Sequence, residues 1–179
     1  MYLFRSCLYA GISVFGINAQ VMPSQWEFQV GPVEGIAVAD DLWMAKYILE
    51  RVAEDFGVII SFNPKPVGNL IGASAHCLFS SKSMRETGGI KHIEEAVGKL
   101  RHCKDNVEIH PTSKKLDSKH SRVELIRKNT SYPGDGIESS IRIPWFVSDL
   151  GFGYLEDRRP LSNCDPYSVI KNLVETTLL

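Results

Sequence analysis

An alternation of period two sets the first readable element. Between Gln25 and Val30, the polar residues Gln25, Glu27 and Gln29 alternate with Trp26, Phe28 and Val30. In an extended segment this puts the polar trio on one face and the apolar trio on the other. Gly16 to Met22 also has strand character, and Pro23-Ser24 joins the two, which predicts a pair of strands. The period then lengthens. Leu42, Ala45, Leu49, Val52 and Phe56 form a helical stripe, with Asp40 and Asp41 as candidate caps and Gly57 as a natural stop. Val58 to Phe62 reads as a buried strand ended by Asn63-Pro64-Lys65-Pro66, and Ala73 to Phe79 as another strand. Ile90, Ile93, Ala96, Val97 and Leu100 mark a second helix.

From Arg101 to Asp135 no period is sustained, and the segment is basic and polar, the pattern of either a long functional loop or a poorly ordered one. Strand character returns at Ser139 to Ile143 and at Gly153 to Glu156. Asp165-Pro166 is a helix start, with a carboxylate at the N-cap and proline in the first helical position. The helix it opens carries Val169, Ile170, Leu173, Val174 and Leu178. Hairpins and helices are mixed rather than strictly alternating, so the fold class is α+β.

Composition adds little to this picture. The chain has 179 residues, 44% hydrophobic and 23% charged, which suits one ordinary globular domain or a large piece of one. A formal net charge of -1 gives no overall attraction to nucleic acid or to an anionic membrane surface. Cys7, Cys77, Cys103 and Cys164 are widely spaced and form no C-x-x-C pair, which argues against a structural zinc site and a disulfide framework. Arg5 followed by the apolar run Cys7 to Phe15 loosely imitates a signal peptide, but the run is short, broken by Gly11 and without a small-x-small cleavage site. It reads as buried structure in a cytoplasmic protein. No G-x-G-x-x-G, G-x-x-x-x-G-K-[ST] or G-x-S-x-G string occurs, so the sequence supports no dinucleotide fold, P-loop or nucleophile elbow.

Three groups could carry chemistry. Glu27 is an acid in mid-strand between bulky apolar residues, His76 lies within an apolar segment, and Glu156-Asp157-Arg158-Arg159 is a dense charge cluster at a strand end. Two carboxylates and an imidazole suit a divalent cation that also grips phosphate, with magnesium or manganese favoured by oxygen ligands. Arg142 and Arg158 could clamp phosphate or carboxylate through guanidinium forks. Each group also has a plain structural reading: a surface glutamate, a satisfied histidine, a solvated salt-bridge cluster.

The longer strings go further. "CLYAG" followed by "INAQVMPSQWEFQVGPVEGI", then "DDLWMAKYILERVAEDFGVIISFNPKP", "GASAHCLFSSKSMRE", "GGIKHIEEAVGKL", "SSIRIP" and "GYLEDRRPLSNCDPYSV" strongly resemble the glutamine synthetase family of eukaryotic type, in the family's order. The resemblance takes in nearly the whole chain, 1–179, as part of the catalytic domain, except a divergent segment of about 101–138. It implies an antiparallel sheet or partial barrel with flanking helices, and an absent N-terminal β-grasp domain. It also implies an activity: ATP-dependent ligation of glutamate and ammonia to glutamine through an acyl-phosphate, with Mg or Mn and ATP, in ring-shaped oligomers whose sites lie between neighbours. The resemblance makes Glu27 a ligand of one metal and His76 and Glu156 ligands of the other. It places Phe79, Ser80, Arg142, Tyr154 and Leu155 at ATP, and Gly72 and Arg158 at glutamate.

The departures from the family pattern fall on the chemistry. Gln20 stands where the family has a metal-binding glutamate, Leu78 and Ile71 where it has asparagines, and Ile137 where it has an arginine of the phosphate clamp. The family's early Glu-x-Glu strand and its flap motif have no counterpart. The expectation is a truncated, degenerate homologue inactive on its own. The alternatives are activity within a mixed oligomer and a non-catalytic scaffold for full-length glutamine synthetase.

Overall fold

The computed structural model describes residues 2–66, 73–102 and 141–179. They form two compact units, Met1–Ala73 and Ser74–Leu179. Ile71, Gly72 and residues 103–140, which take in all but the first two residues of the divergent segment and include Ile137, lie outside the described residues.

The first unit begins with helix α1 (Tyr2–Tyr9), which buries Leu3 and Cys7, one turn apart on the same face. Burial was expected here but a helix was not. Strands β1 (Val14–Ala19) and β2 (Trp26–Val30) follow as an antiparallel pair that matches Val14 with Val30 and Ala19 with Trp26. The alternation in β2 is realised: Phe28 and Val30 pack against Cys7, Ile12, Val14 and Ala45. Trp26, at the strand's start, departs from it and is 67% exposed.

Helix α2 (Ala37–Asp55) starts earlier than Asp40-Asp41 suggests. Its N-cap is Ile36, with no side-chain cap, and Asp40 lies inside the first turn. There its charge still favours the positive end of the helix dipole. Gly57 ends the helix as expected, at φ 63, where residues with a Cβ are disfavoured. Lys46 is buried in this unit with its ammonium 5.4 Å from the Trp43 ring centre and 4.9 Å from that of Phe62. Val58 to Phe62 is not a strand, and Ile59 is 96% exposed. An apolar run becomes a strand only when another strand pairs with its backbone groups, and no strand among the described residues pairs with this one.

The second unit is built on a three-stranded antiparallel sheet in the order β3 (Cys77–Phe79), β5 (Leu155–Asp157), β4 (Ile141–Arg142). β3 covers only part of the expected Ala73 to Phe79 strand, because its partner is equally short; Ser74 makes an isolated bridge to Leu161. Around the sheet stand α3 (Lys82–Arg85), α4 (Ile90–His102), α5 (Trp145–Leu150) and α6 (Pro166–Leu178). The predicted stripe of α4 is the core itself: Ile93, Ala96, Val97 and Leu100 are buried with Leu155 and Leu173. Asp165 caps α6 as expected, accepting from Tyr167 N at 3.2 Å and from Ser168 Oγ at 2.7 Å.

Gly153 closes the approach to β5. Its φ is 146, and a Cβ there would stand 2.9 Å from Val147 Cγ2, a side chain that is fully buried. Gly153→Ala is therefore expected to destabilise the second unit by about 2 kcal/mol. Thermal melting of the purified variant measures this, and an unchanged midpoint would place Val147 elsewhere.

Candidate functional site

The site is laid out by the short central strand. β5 pairs Glu156 with Leu78 on one side and with Arg142 on the other. Directly paired residues share a sheet face, so Glu156, Arg142 and Leu78 point one way. Leu155 and Asp157 point the other way, into the core.

On the outer face Arg142 Nε lies 2.6 Å from Glu156 Oε2. The guanidinium N–H is not aimed at that oxygen, so the contact is ionic and neither atom has a hydrogen-bond partner among the described residues. His76 Nδ1 faces Glu156 Oε1 at 3.3 Å. Arg158 Nε donates to His76 Nε2 at 3.4 Å, and Ser74 Oγ lies 3.0 Å from the same nitrogen. His76 thus links Glu156, on its Nδ1 side, to Arg158 and Ser74, on its Nε2 side. Burial is the largest influence on the Glu156 carboxyl and pushes its pKa up. The hydrogen bond with His76 and the charges of Arg142, His76 and Arg158 together outweigh it and hold the group below its ordinary value. Glu156 is therefore ionised at neutral pH, and among the described residues two guanidinium groups stand beside this one carboxylate. Such a corner suits an anion with several oxygens, such as phosphate.

The inner face differs. Asp157 is 3% exposed and takes Arg159 Nε at 2.9 Å and Nη2 at 2.8 Å on its two oxygens. Half of the Glu-Asp-Arg-Arg cluster is thus a buried structural pair, which a reading of the four residues as one charged run misses. Period-two alternation along the strand was the available signal. The Cys77 thiol, paired across from Asp157, is pushed up to about 12 by burial and by the nearby Asp157 and Cys164, so it is no nucleophile at neutral pH.

The remaining expected positions fare unequally. The Tyr154 ring meets Phe146 at 5.9 Å, and Phe146 meets Trp145 at 6.1 Å, making an aromatic row. Burial chiefly raises the Tyr154 phenol, helped by Glu156 and opposed by Arg142. Phe79 packs against the core, and Leu155 is fully buried, so its side chain cannot reach a ligand. Ser80 Oγ donates to Gly153 O at 2.6 Å. Leu78, 57% exposed on the Glu156 face, puts an apolar side chain where an amide was expected. Glu27 belongs to the first unit, held between Gln20 and Gln29. Ser74 was not anticipated.

The comparisons with known proteins agree with one another. The family model for the glutamine synthetase catalytic domain matches residues 2–88. Glutamine synthetase of Agaricus bisporus is 50% identical over 180 residues, which cover 98% of this chain and 50% of that protein. Glutamine synthetase 2 cytoplasmic of Drosophila melanogaster is 48% identical over 184 residues, covering 98% and 49%. Glutamine synthetase of Xenopus laevis is 50% identical over 190 residues, covering 98% and 46%. The chain belongs to the glutamine synthetase family. It spans about half the length of these relatives.

A solved structure of apo GmaS superimposes with a TM-score of 0.74 over 98% of this chain and 42% of that one, at 20% identity, which supports the fold alone. The α+β reading as a glutamine synthetase catalytic-domain fold therefore holds. Among the described residues no helix is long and apolar enough to cross a membrane.

The family implies ATP and a divalent cation, and the corner can be tested against both. His76 and Glu156 are suitable ligand types for magnesium or manganese. Arg142 already sits against that carboxylate, and among the described residues no group of three or more His, Cys, Asp or Glu side chains is placed to hold an ion. The guanidinium groups of the corner have the chemistry of a phosphate site, and His76 with Glu156 would hold a cation only together with oxygens that the phosphate itself supplied.

Proposed function

We propose that this chain is a glutamine synthetase-like protein that retains the nucleotide-phosphate side of the ancestral site and makes no glutamine on its own. The observation carrying the reading is the charge arrangement at Glu156, with Arg142 at 2.6 Å, His76 at 3.3 Å and Arg158 behind the histidine. Arg142 and Arg158 bind the anionic oxygens of ATP or a carboxylate. His76 and Glu156 would hold Mg or Mn arriving with the nucleotide, where the ion supplies neutralisation of phosphate charge. Tyr154 and its aromatic row offer a surface for a ring, and Phe79, Ser80 and Leu155 contribute through the backbone and by shaping the floor. Gly72 remains assigned to glutamate by family resemblance.

The inactive reading is supported by residues that are present, not by where the chain stops. Gln20 occupies a family carboxylate position, and its amide hydrogen-bonds to Glu27. Leu78 presents hydrocarbon on the ligand face. A cytoplasmic location accords with the Drosophila relative's name. Partners by family are other glutamine synthetase subunits, in homo- or hetero-oligomers.

Titration calorimetry with ATP and Mg²⁺ tests the binding half. Arg142→Ala is expected to weaken nucleotide affinity roughly tenfold, the scale of one charge-assisted contact to a partly exposed arginine. An unchanged affinity in a folded variant would move the phosphate elsewhere. Incubation of the purified chain with glutamate, ammonium, ATP and Mg²⁺ tests the other half, and glutamine formation at a steady rate would overturn it.

A further inference from the structure

Glu27 pairs with Asn18 across the β1–β2 hairpin, which makes position 20 its diagonal neighbour on the same face. Gln20 Nε2 donates to Glu27 Oε2 at 2.6 Å. Gln29, two residues along the same strand and hence also on that face, donates from Nε2 to Glu27 Oε1 at 3.0 Å. An ionised carboxylate only accepts, so both amides must present their NH₂ ends to it, and this fixes the orientation of each. Both oxygens of Glu27 are engaged by neutral donors.

A divalent cation does not fit this arrangement. It would have to displace both amide donors from the carboxylate. Rotating the amides to offer their carbonyl oxygens would still leave one formal negative charge facing two positive ones. Hard-cation affinity follows the charge of the ligand set, so the reading of Glu27 as a metal ligand conflicts with its surroundings.

The same row has a local task. The turn at the end of the hairpin closes with Gln25 N donating to Met22 O at 3.1 Å and holds Ser24 at φ 61, a left-handed conformation unfavourable for a residue with a Cβ. Gln20 and Glu27 flank that turn. We propose that Gln20, Glu27 and Gln29 form a metal-independent carboxylate latch, in which two amide N–H groups stand where a cation's charge would and hold the turn end of the β1–β2 hairpin closed. The latch is independent of the nucleotide reading, since its residues all belong to the first unit.

NMR of the full chain reads the latch directly through the side-chain NH₂ signals of Gln20 and Gln29, assigned by their loss in Gln20→Ala and Gln29→Ala. Both signals are expected to survive Mn²⁺ at about 1 mM, the range of the weakest biological sites for hard cations. Selective paramagnetic loss of these two signals would overturn the proposal. Gln20→Glu supplies the reverse test: it sets two carboxylates together, so its melting temperature in EDTA should fall below wild type. Mg²⁺ should then restore it by more than Mg²⁺ raises the wild type, a comparison that subtracts any ion held at His76 and Glu156. Equal stability of Gln20→Glu and wild type in EDTA would overturn the latch. Should that variant not fold, Gln20→Met, which keeps length without a donor, should melt lower in EDTA and Mg²⁺ alike, and an unchanged melting temperature would refute it.

Discussion

Leu155→Ala should lower the unfolding free energy of the second unit by about 3 kcal/mol, within the usual 2–5 kcal/mol for emptying a buried leucine site. Leu155 is completely buried on the inner face of the central strand, paired with Phe79 and enclosed by the core that includes Ile93 and Leu173. Small domains hold roughly 5–15 kcal/mol in total, so the loss is a large share of the margin. Urea denaturation reads it as a lower midpoint at unchanged slope. Leu78 lies on the neighbouring strand but faces outward, 57% exposed. Leu78→Ala should therefore change stability by no more than roughly 0.5 kcal/mol. Similar costs for the two leucines would mean that the sheet presents the wrong face to the core. The pair also bears on function: any loss of nucleotide binding in Leu155→Ala should track unfolding, because the side chain itself reaches no ligand.

How much of this was legible in the sequence depended on whether local pattern and tertiary partner agreed. α4 and α6 were readable because their apolar spacing and, for α6, the Asp165-Pro166 start coincide with what the core requires. β2 was readable from alternation alone. The run Val58 to Phe62 failed because hydrophobicity shows a preference for burial but names no strand to pair with. The short helices α3 and α5 span only Lys82–Arg85 and Trp145–Leu150, too few turns to set up a period. At the site, family strings located His76, Glu156, Arg142 and Arg158, and the structure brings these four together. They could not reveal that Gln20 hydrogen-bonds to Glu27, because that contact is set by hairpin register between residues seven apart. Nor could they separate Arg158 from Arg159, whose roles diverge by strand face.

That divergence carries the largest expected effect. Asp157→Ala should cost about 3–5 kcal/mol, the range for stranding one member of a buried ion pair. Asp157 accepts three hydrogen bonds from Arg159: from the backbone N at 3.0 Å, from Nε at 2.9 Å and from Nη2 at 2.8 Å. The side chains are only 4% and 16% exposed, so water cannot readily replace the lost partner. Asp157→Asn keeps the shape and one acceptor but loses the charge and the bidentate match, and should cost about half as much. Arg159→Ala strands the aspartate in turn. The double variant should then be less destabilised than the sum of the singles, because neither charge is left alone. Chemical denaturation of all four proteins closes the cycle, and additive costs would mean the pair is not a pair. Glu156 sits between Leu155 and Asp157 on a strand of only three residues, so the core leucine and the buried aspartate both fix where its carboxylate points. The outward corner proposed to meet phosphate is thus held by inward contacts on either side. In folded Asp157→Asn the affinity for nucleotide should fall along with stability, although Asp157 touches no ligand.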